Sequence, residues 1–128
     1  MLTTTRPHPR AADTTIRGAH LRALGLTKTY GMTRALDHID IAIPAGQSVA
    51  VMGPSGSGKT TLLHCLSGIL SPDSGSIELA LPDRTVNVEN LSNEGRAKLR
   101  RQSLGFVFQQ GMLVPELTAV ENTALPLM

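Results

Sequence analysis

From Leu21 onward the chain alternates. LRALGLTKTY (21–30) and RALDHIDIAI (34–43) interleave apolar with polar positions and carry β-branched residues, which predicts two half-exposed strands. PAGQ (44–47) supplies a turn. SVAVM (48–52) is then a short, mostly apolar run and predicts a buried strand. The period changes in LLHCLSGIL, where Leu62, Leu63, Leu66, Ile69 and Leu70 fall at helical spacing and predict one apolar face, closed by SPDSG (71–75). SIELAL and RTVNV (84–88), joined through Pro82 and Asp83, predict a hairpin. LSNEGRAKLRR (91–101) predicts a short polar helix with Ser92 as N-cap, LGFVF (104–108) a second buried strand, and QQGMLVPEL a loop. Thr118 and Glu121 have the spacing of a capping box and open a last helix.

Before Leu21 there is no such periodicity. MLTTTRPHPRAADTTIRGAH is rich in Thr, Arg, Pro and Ala, and residues 1–20 are expected to be a disordered tail ahead of one folded unit, 21–128. An organelle transit peptide would share the acid-poor composition but needs an amphipathic stripe that is not there.

Composition narrows the class. A chain of 128 residues is one domain's worth, and 41% apolar with 17% charged residues fits a globular chain. A net charge of +2 is too slight to argue for nucleic acid as a partner. The apolar runs fall far short of the roughly 20 residues that cross a bilayer. The single cysteine, Cys65, excludes an internal disulfide and agrees with a reducing cytoplasm. The four histidines show no metal-ligand spacing. Arg96, Lys98, Arg100 and Arg101 are expected to form a solvated helix face.

The chemistry concentrates in GPSGSGKTT (53–61), set between a predicted strand and a predicted helix. That context is what the phosphate-binding loop G-x-x-x-x-G-K-[ST] requires. Gly53, Gly56 and Gly58 permit backbone angles that let successive N–H groups turn inward, and Pro54, Ser55 and Ser57 complete the loop. The following helix adds partial positive charge at its N-terminus. Lys59 can reach the outer phosphates, the Thr60 hydroxyl can coordinate Mg²⁺, and Thr61 is placed for an inner phosphate. A glycine-rich turn with an incidental lysine is the plain alternative, and the flanking strand and helix argue against it. The loop alone does not choose among GTPases, small-molecule kinases and transport ATPases; the first two would need a guanine-reading motif or a lid, and neither is visible.

The rest of the chain resembles the ATP-binding cassette (ABC) family of transporter ATPases, in the branch that includes lipoprotein-release and macrolide-export ATPases. The resemblance runs from about Leu24 to Met128. TKTYG (27–31) is similar to the A-loop, whose aromatic stacks on adenine; here that is Tyr30, the only tyrosine. ALDHIDIAIPAGQSVAVMGPSGSGKTTLLHCLSGILSPDSGSIEL is similar to the family's approach to and exit from the phosphate loop. LGFVFQQ resembles the strand and Q-loop, which implies that Gln109, not its neighbour Gln110, touches Mg²⁺ and the attacking water. LVPELTAVENTALPL is similar to the segment that faces the transmembrane partner, although Gly111 stands where relatives commonly carry an aromatic. Taken alone, a tyrosine after a strand fits packing as well as stacking, and a glutamine at a loop start fits solvation.

The resemblance implies an α/β fold: a truncated P-loop NTPase of ABC ATPase type, with an N-terminal antiparallel β-subdomain packed on a partial RecA-like core. It implies ATP and Mg²⁺ as ligands, with Lys59 and Gln109 catalytic, Thr60 and Gln109 on the metal, and Tyr30 with residues 53–61 on the nucleotide. Implied partners are a transmembrane permease and a second ATP-binding subunit, at the cytoplasmic face of the membrane. LSNEG (91–95) is not the family's signature, since it precedes the Q-loop and lacks the paired glycines. The signature, the Walker B aspartate, the catalytic glutamate and the switch histidine are not found among the 128 residues, so hydrolysis by this chain alone is not expected. A catalytically silent product that at most binds nucleotide is the alternative. Uncovered strand edges would also make the chain poorly soluble on its own.

Overall fold

The structure, a computed structural model, describes residues 3–4, 18–107 and 115–125. A two-residue strand β1 (Thr3–Thr4) is followed by the long β2 (His20–Tyr30) and β3 (Thr33–Ile43), the short β4 (Val51–Met52) and helix α1 (Lys59–Leu66). Then come β5 (Ser74–Ala80), β6 (Thr85–Asn87), a 3-10 turn over Val88–Asn90, and helices α2 (Asn93–Ser103) and α3 (Ala119–Ala124). Strands β3, β2, β5 and β6 form an antiparallel sheet in that order. The alternation in the sequence produces it: Ala23 and Leu26 from β2, Leu36 and Ile41 from β3, and Ile77 and Leu79 from β5 are buried, while their neighbours, apart from the buried Thr27, keep some exposure.

The β2–β3 hairpin closes over Gly31 and Met32, and its register is not regular. Leu26 pairs with Ile39 and Lys28 with Leu36, so β3 carries an extra residue around Asp37 and His38. There the Thr27 hydroxyl accepts from the His38 N–H at 3.2 Å. A second irregularity follows, because Lys28 pairs with Leu36 but Thr29 with Arg34, leaving Ala35 out of the ladder. A bulge of this kind bends the strand and re-aims the group that it frees.

One face of the sheet receives α1 through Leu62, Cys65 and Leu66, which join the sheet residues, Val88 and Leu99 in a single core. Full burial of such a leucine stabilises by about 1.5–3 kcal/mol. Burial also pushes the Cys65 thiol pKa up. Ser92 caps α2 as expected, its hydroxyl accepting from the Gly95 N–H at 3.0 Å. Thr118 and Glu121 close the capping box of α3, with Thr118 N–H donating to the Glu121 carboxylate at 2.8 Å and Glu121 N–H to the Thr118 hydroxyl at 3.2 Å.

Several expectations are corrected. SVAVM is not a buried strand: only Val51 and Met52 are in strand conformation, Met52 is half-exposed, and the pairing is antiparallel, Thr3 with Met52 and Thr4 with Val51. Among the described residues no parallel strand lies beside it, and a strand without neighbours has few ladder bonds to hold it. Residues 104–107 form no strand and Val107 is exposed; Phe108 lies outside the described residues. Leu63 on α1 and Ile69 beyond its end are exposed, and Cys65 takes a core place instead. The helix ends before SPDSG, at Ser67 and Gly68. The basic face of α2 is not wholly solvated, because the Arg100 guanidinium donates to the Gly68 carbonyl at 2.7 Å and Arg96 reaches Ser71 and Asn93. Arg100 thus holds the turn at the C-terminal end of α1, where the carbonyl dipoles favour a cation.

Candidate functional site

Residues 53–58 run from β4 into α1 as a tight loop, turned by a Ser57 N–H to Pro54 carbonyl bond of 3.1 Å. Gly56 and Gly58 take left-handed angles, φ 79 and φ 98, whereas Gly53 has no positive φ. Gly58 is required for a second reason. A Cβ there would lie 2.3 Å from the Ala35 carbonyl oxygen, the group released from the ladder by the bulge in β3. The loop and the strand are therefore in direct backbone contact.

Helix α1 begins at Lys59. Its first internal bond runs from the Leu62 N–H to the Gly58 carbonyl at 2.9 Å, so the N–H groups of Lys59, Thr60 and Thr61 project from the helix start without helical partners. No acidic residue sits in that first turn to compete with an anion. The Lys59 ammonium arches back over the loop, donating to the Gly53 carbonyl and, at 3.3 Å, to the Pro54 carbonyl. An ammonium has three protons, so one remains for an anion at the mouth. The Ser57 hydroxyl is buried without a hydrogen-bond partner.

These groups open into a cavity of about 510 Å³. One wall is Ser55, Gly56, Gly58, Lys59, Thr60 and Thr61; the other is the end of the β2–β3 hairpin, with Tyr30, Thr33, Arg34 and Ala35. The size falls within the range of small-molecule and cofactor sites, roughly 300–1,000 Å³. Lys59 and Arg34 are cationic, and no carboxylate lines the cavity among the described residues. Ser57 does not line the cavity, but the N–H groups at the helix start and the Lys59 ammonium fit a polyphosphate, and the exposed Thr60 hydroxyl fits its counter-cation.

Of the residues expected from the sequence, Tyr30, Ser55, Gly56, Gly58, Lys59, Thr60 and Thr61 meet in this cavity. Gly53 and Pro54 stand behind it and hold Lys59. Gln109, with Gln110 and Gly111, lies outside the described residues. The approach to it does touch α1: the rings of His64 and Phe106 are 5.5 Å apart at 44°. Thr33, Arg34 and Ala35 were not anticipated. Their nearness to Tyr30 across a two-residue turn was a usable signal, but the bulge at Ala35 was not. Arg34 is held on the wall by Asp37 at 3.2 Å, and the His38 hydrogen bond, with Arg34, holds the Asp37 pKa below its ordinary value.

With this geometry in view, the comparisons with known proteins are specific. Residues 36–126 match the ABC transporter family. The chain is 42% identical over 114 residues to the lipoprotein-releasing system ATP-binding protein LolD of Xanthomonas oryzae pv. oryzae (strain MAFF 311018), covering 86% of this chain and 45% of that protein. Identity to LolD of Legionella pneumophila (strain Lens) is 47% over 93 residues, covering 73% and 39%. Among solved structures, the fold superposes on the dimeric post-hydrolysis state of the ATP-binding cassette MJ0796 bound to ADP and Pi. The TM-score is 0.69 at 35% identity, with 84% of this chain and 46% of that one covered. The chain spans about half the length of the curated relatives it matches.

Proposed function

Because the chain belongs to the ABC transporter family, we propose that it is the ATP-binding component of a transporter, in the branch that serves lipoprotein release. The observation that carries the reading is the convergence of Tyr30 with Ser55, Gly56, Gly58, Lys59, Thr60 and Thr61 on one cavity of nucleotide size. Tyr30 offers a π-face for adenine at one end. The N–H groups at the start of α1 and the third proton of Lys59 take the phosphates at the other.

Magnesium, when bound, would neutralise phosphate charge. Thr60 would hold it, and Gln109 is proposed as a second ligand from the resemblance of LGFVFQQ to the Q-loop. Lys59 draws off developing negative charge, and Gln109 orients the attacking water. The pairing seen in the dimeric cassette MJ0796 supports a second ATP-binding subunit across the nucleotide, where the reaction is completed. That the relatives are ATP-binding proteins of a lipoprotein-releasing system supports a permease partner, with the chain held at the inner face of the membrane through it; the resemblance of residues 113–127 to the partner-facing segment makes that stretch the proposed contact. Among the described residues no helix is long and apolar enough to cross a membrane.

Titration with ATP tests the proposal. Lys59→Ala is expected to weaken binding about ten- to a hundredfold, the range for losing a charged hydrogen bond. Unchanged affinity would refute the assignment.

A further inference from the structure

The nucleotide reading makes Tyr30 a stacking platform, and a platform works only if its ring stands still. What holds it is visible on the side away from the cavity. The Lys28 ammonium lies 5.4 Å from the centre of the Tyr30 ring. Lys28 and Tyr30 are two residues apart on β2, so their side chains leave the strand on the same side. Tyr30 lines the cavity and Lys28 does not. The ammonium therefore braces the ring from outside.

Lys28 is itself fixed. Its side chain is only 17% exposed, and its Nζ meets the Asp73 carboxylate at 3.4 Å. Asp73 is pinned to the same strand twice more: its other carboxylate oxygen accepts from the Thr29 N–H at 2.7 Å, and its own N–H donates to the Thr27 carbonyl at 2.8 Å. Thr27 pairs with Ser74, so this anchor is the first rung of the β2–β5 ladder. The result is a rigid line from β5 through Asp73 and Lys28 to Tyr30.

We propose that Lys28, held by Asp73, is a positioning residue for base recognition: it fixes the Tyr30 ring against the cavity so that a purine stacks on the ring's open face. The proposal rests on the nucleotide reading of the cavity and goes beyond it. A ring already ordered loses less freedom when the base arrives, so the benefit belongs to the base and not to the phosphates.

Two ligands separate those contributions. ATP carries base and phosphates; inorganic tripolyphosphate carries the phosphates alone. Calorimetric titration of the chain with each, in the presence of magnesium, is run on the wild type, Lys28→Met, Lys28→Arg and Tyr30→Ala. Lys28→Met is expected to weaken ATP about two- to fivefold while leaving tripolyphosphate unchanged, and Lys28→Arg to restore ATP. Tyrosine emission supplies a readout on the ring itself, since the chain has one Tyr and no Trp. Lys28→Met should change that emission before any ligand is added, and Lys28→Arg should not. Equal weakening of both ligands, or of neither, overturns the proposal by making Lys28 a general structural residue or an idle one. A wild type that binds ATP no better than tripolyphosphate overturns the adenine reading of Tyr30 as well, and failure to bind either overturns the phosphate loop.

Discussion

The carbonyl oxygen of Ala35 lies where it would meet a Cβ on Gly58 at 2.3 Å. Backbone on one side faces backbone on the other, and neither can yield without breaking the strand or the loop. Gly58→Ala should therefore cost stability twice, through its φ of 98 and through the clash, whereas Gly56→Ala, with φ 79 and nothing within 4 Å, meets only the first. The expected loss is about 1–2 kcal/mol for Gly56→Ala and clearly more for Gly58→Ala. Urea unfolding of the two variants checks this, and equal losses would mean that the contact with β3 carries no weight.

Leu62 anchors α1, and with it the loop, to the sheet. Fully buried, it should lose about 2–5 kcal/mol as Leu62→Ala, and the nucleotide affinity should fall with it. Its neighbour Leu63 is 46% exposed, and Leu63→Ala should stay within about 0.5 kcal/mol of the wild type. Similar losses at the two positions would contradict the observed orientation of the helix.

Arg100 tests the clamp on the other end of α1. Removing its guanidinium leaves the Gly68 carbonyl without that donor, so Arg100→Met should destabilise by about 1 kcal/mol, while Lys98→Met on the exposed side of α2 should be near neutral. Thermal unfolding of the pair distinguishes a clamp from a solvated face.

Asp73 carries a pH signature. Hydrogen bonding from Thr29, with the Lys28 ammonium beside it, holds its pKa below the ordinary value of 3.8. A depressed carboxylate stabilises the fold fully above that ordinary value. The contribution is lost as pH falls through the lower folded value, where the unfolded chain binds the proton more readily. Asp37 and Glu121 are depressed in the same direction and add to the acid limb. Asp73→Asn should therefore flatten part of the decline in stability below about pH 4, and nothing above pH 6. An unaltered acid limb would show that Asp73 is as free in the native chain as in the unfolded one.

How much of this could be read from residues alone depended on the range of the forces involved. The strands β2 and β3, the β5–β6 hairpin, the Ser92 cap and the Thr118–Glu121 box were legible because alternation and short-range hydrogen bonds fix them within a few positions. The loop at 53–61 was legible for the same reason, since a helix start and left-handed glycines are local requirements. The run at 48–52 was not. Its apolar pattern suits a buried strand, but burial needs neighbours, and among the described residues β4 is paired only through Thr3 and Thr4. Arg96 and Arg100 misled in the opposite sense: a basic helix face says nothing of which carbonyls another helix end will present to it. The bulge at Ala35 depends on a register kept by two strands together, which no single stretch encodes.

Lys59 has a consequence for how fast and how tightly the cavity fills. Its ammonium already rests on the Gly53 and Pro54 carbonyls, so an arriving polyphosphate does not meet an idle charge. It meets an ammonium that two amide oxygens already hold in place, with its third proton left to give, so little freedom remains to be lost when the phosphate arrives. Tilting those carbonyls away would let the ammonium swing and would loosen the loop's grip without removing a single contact to the nucleotide.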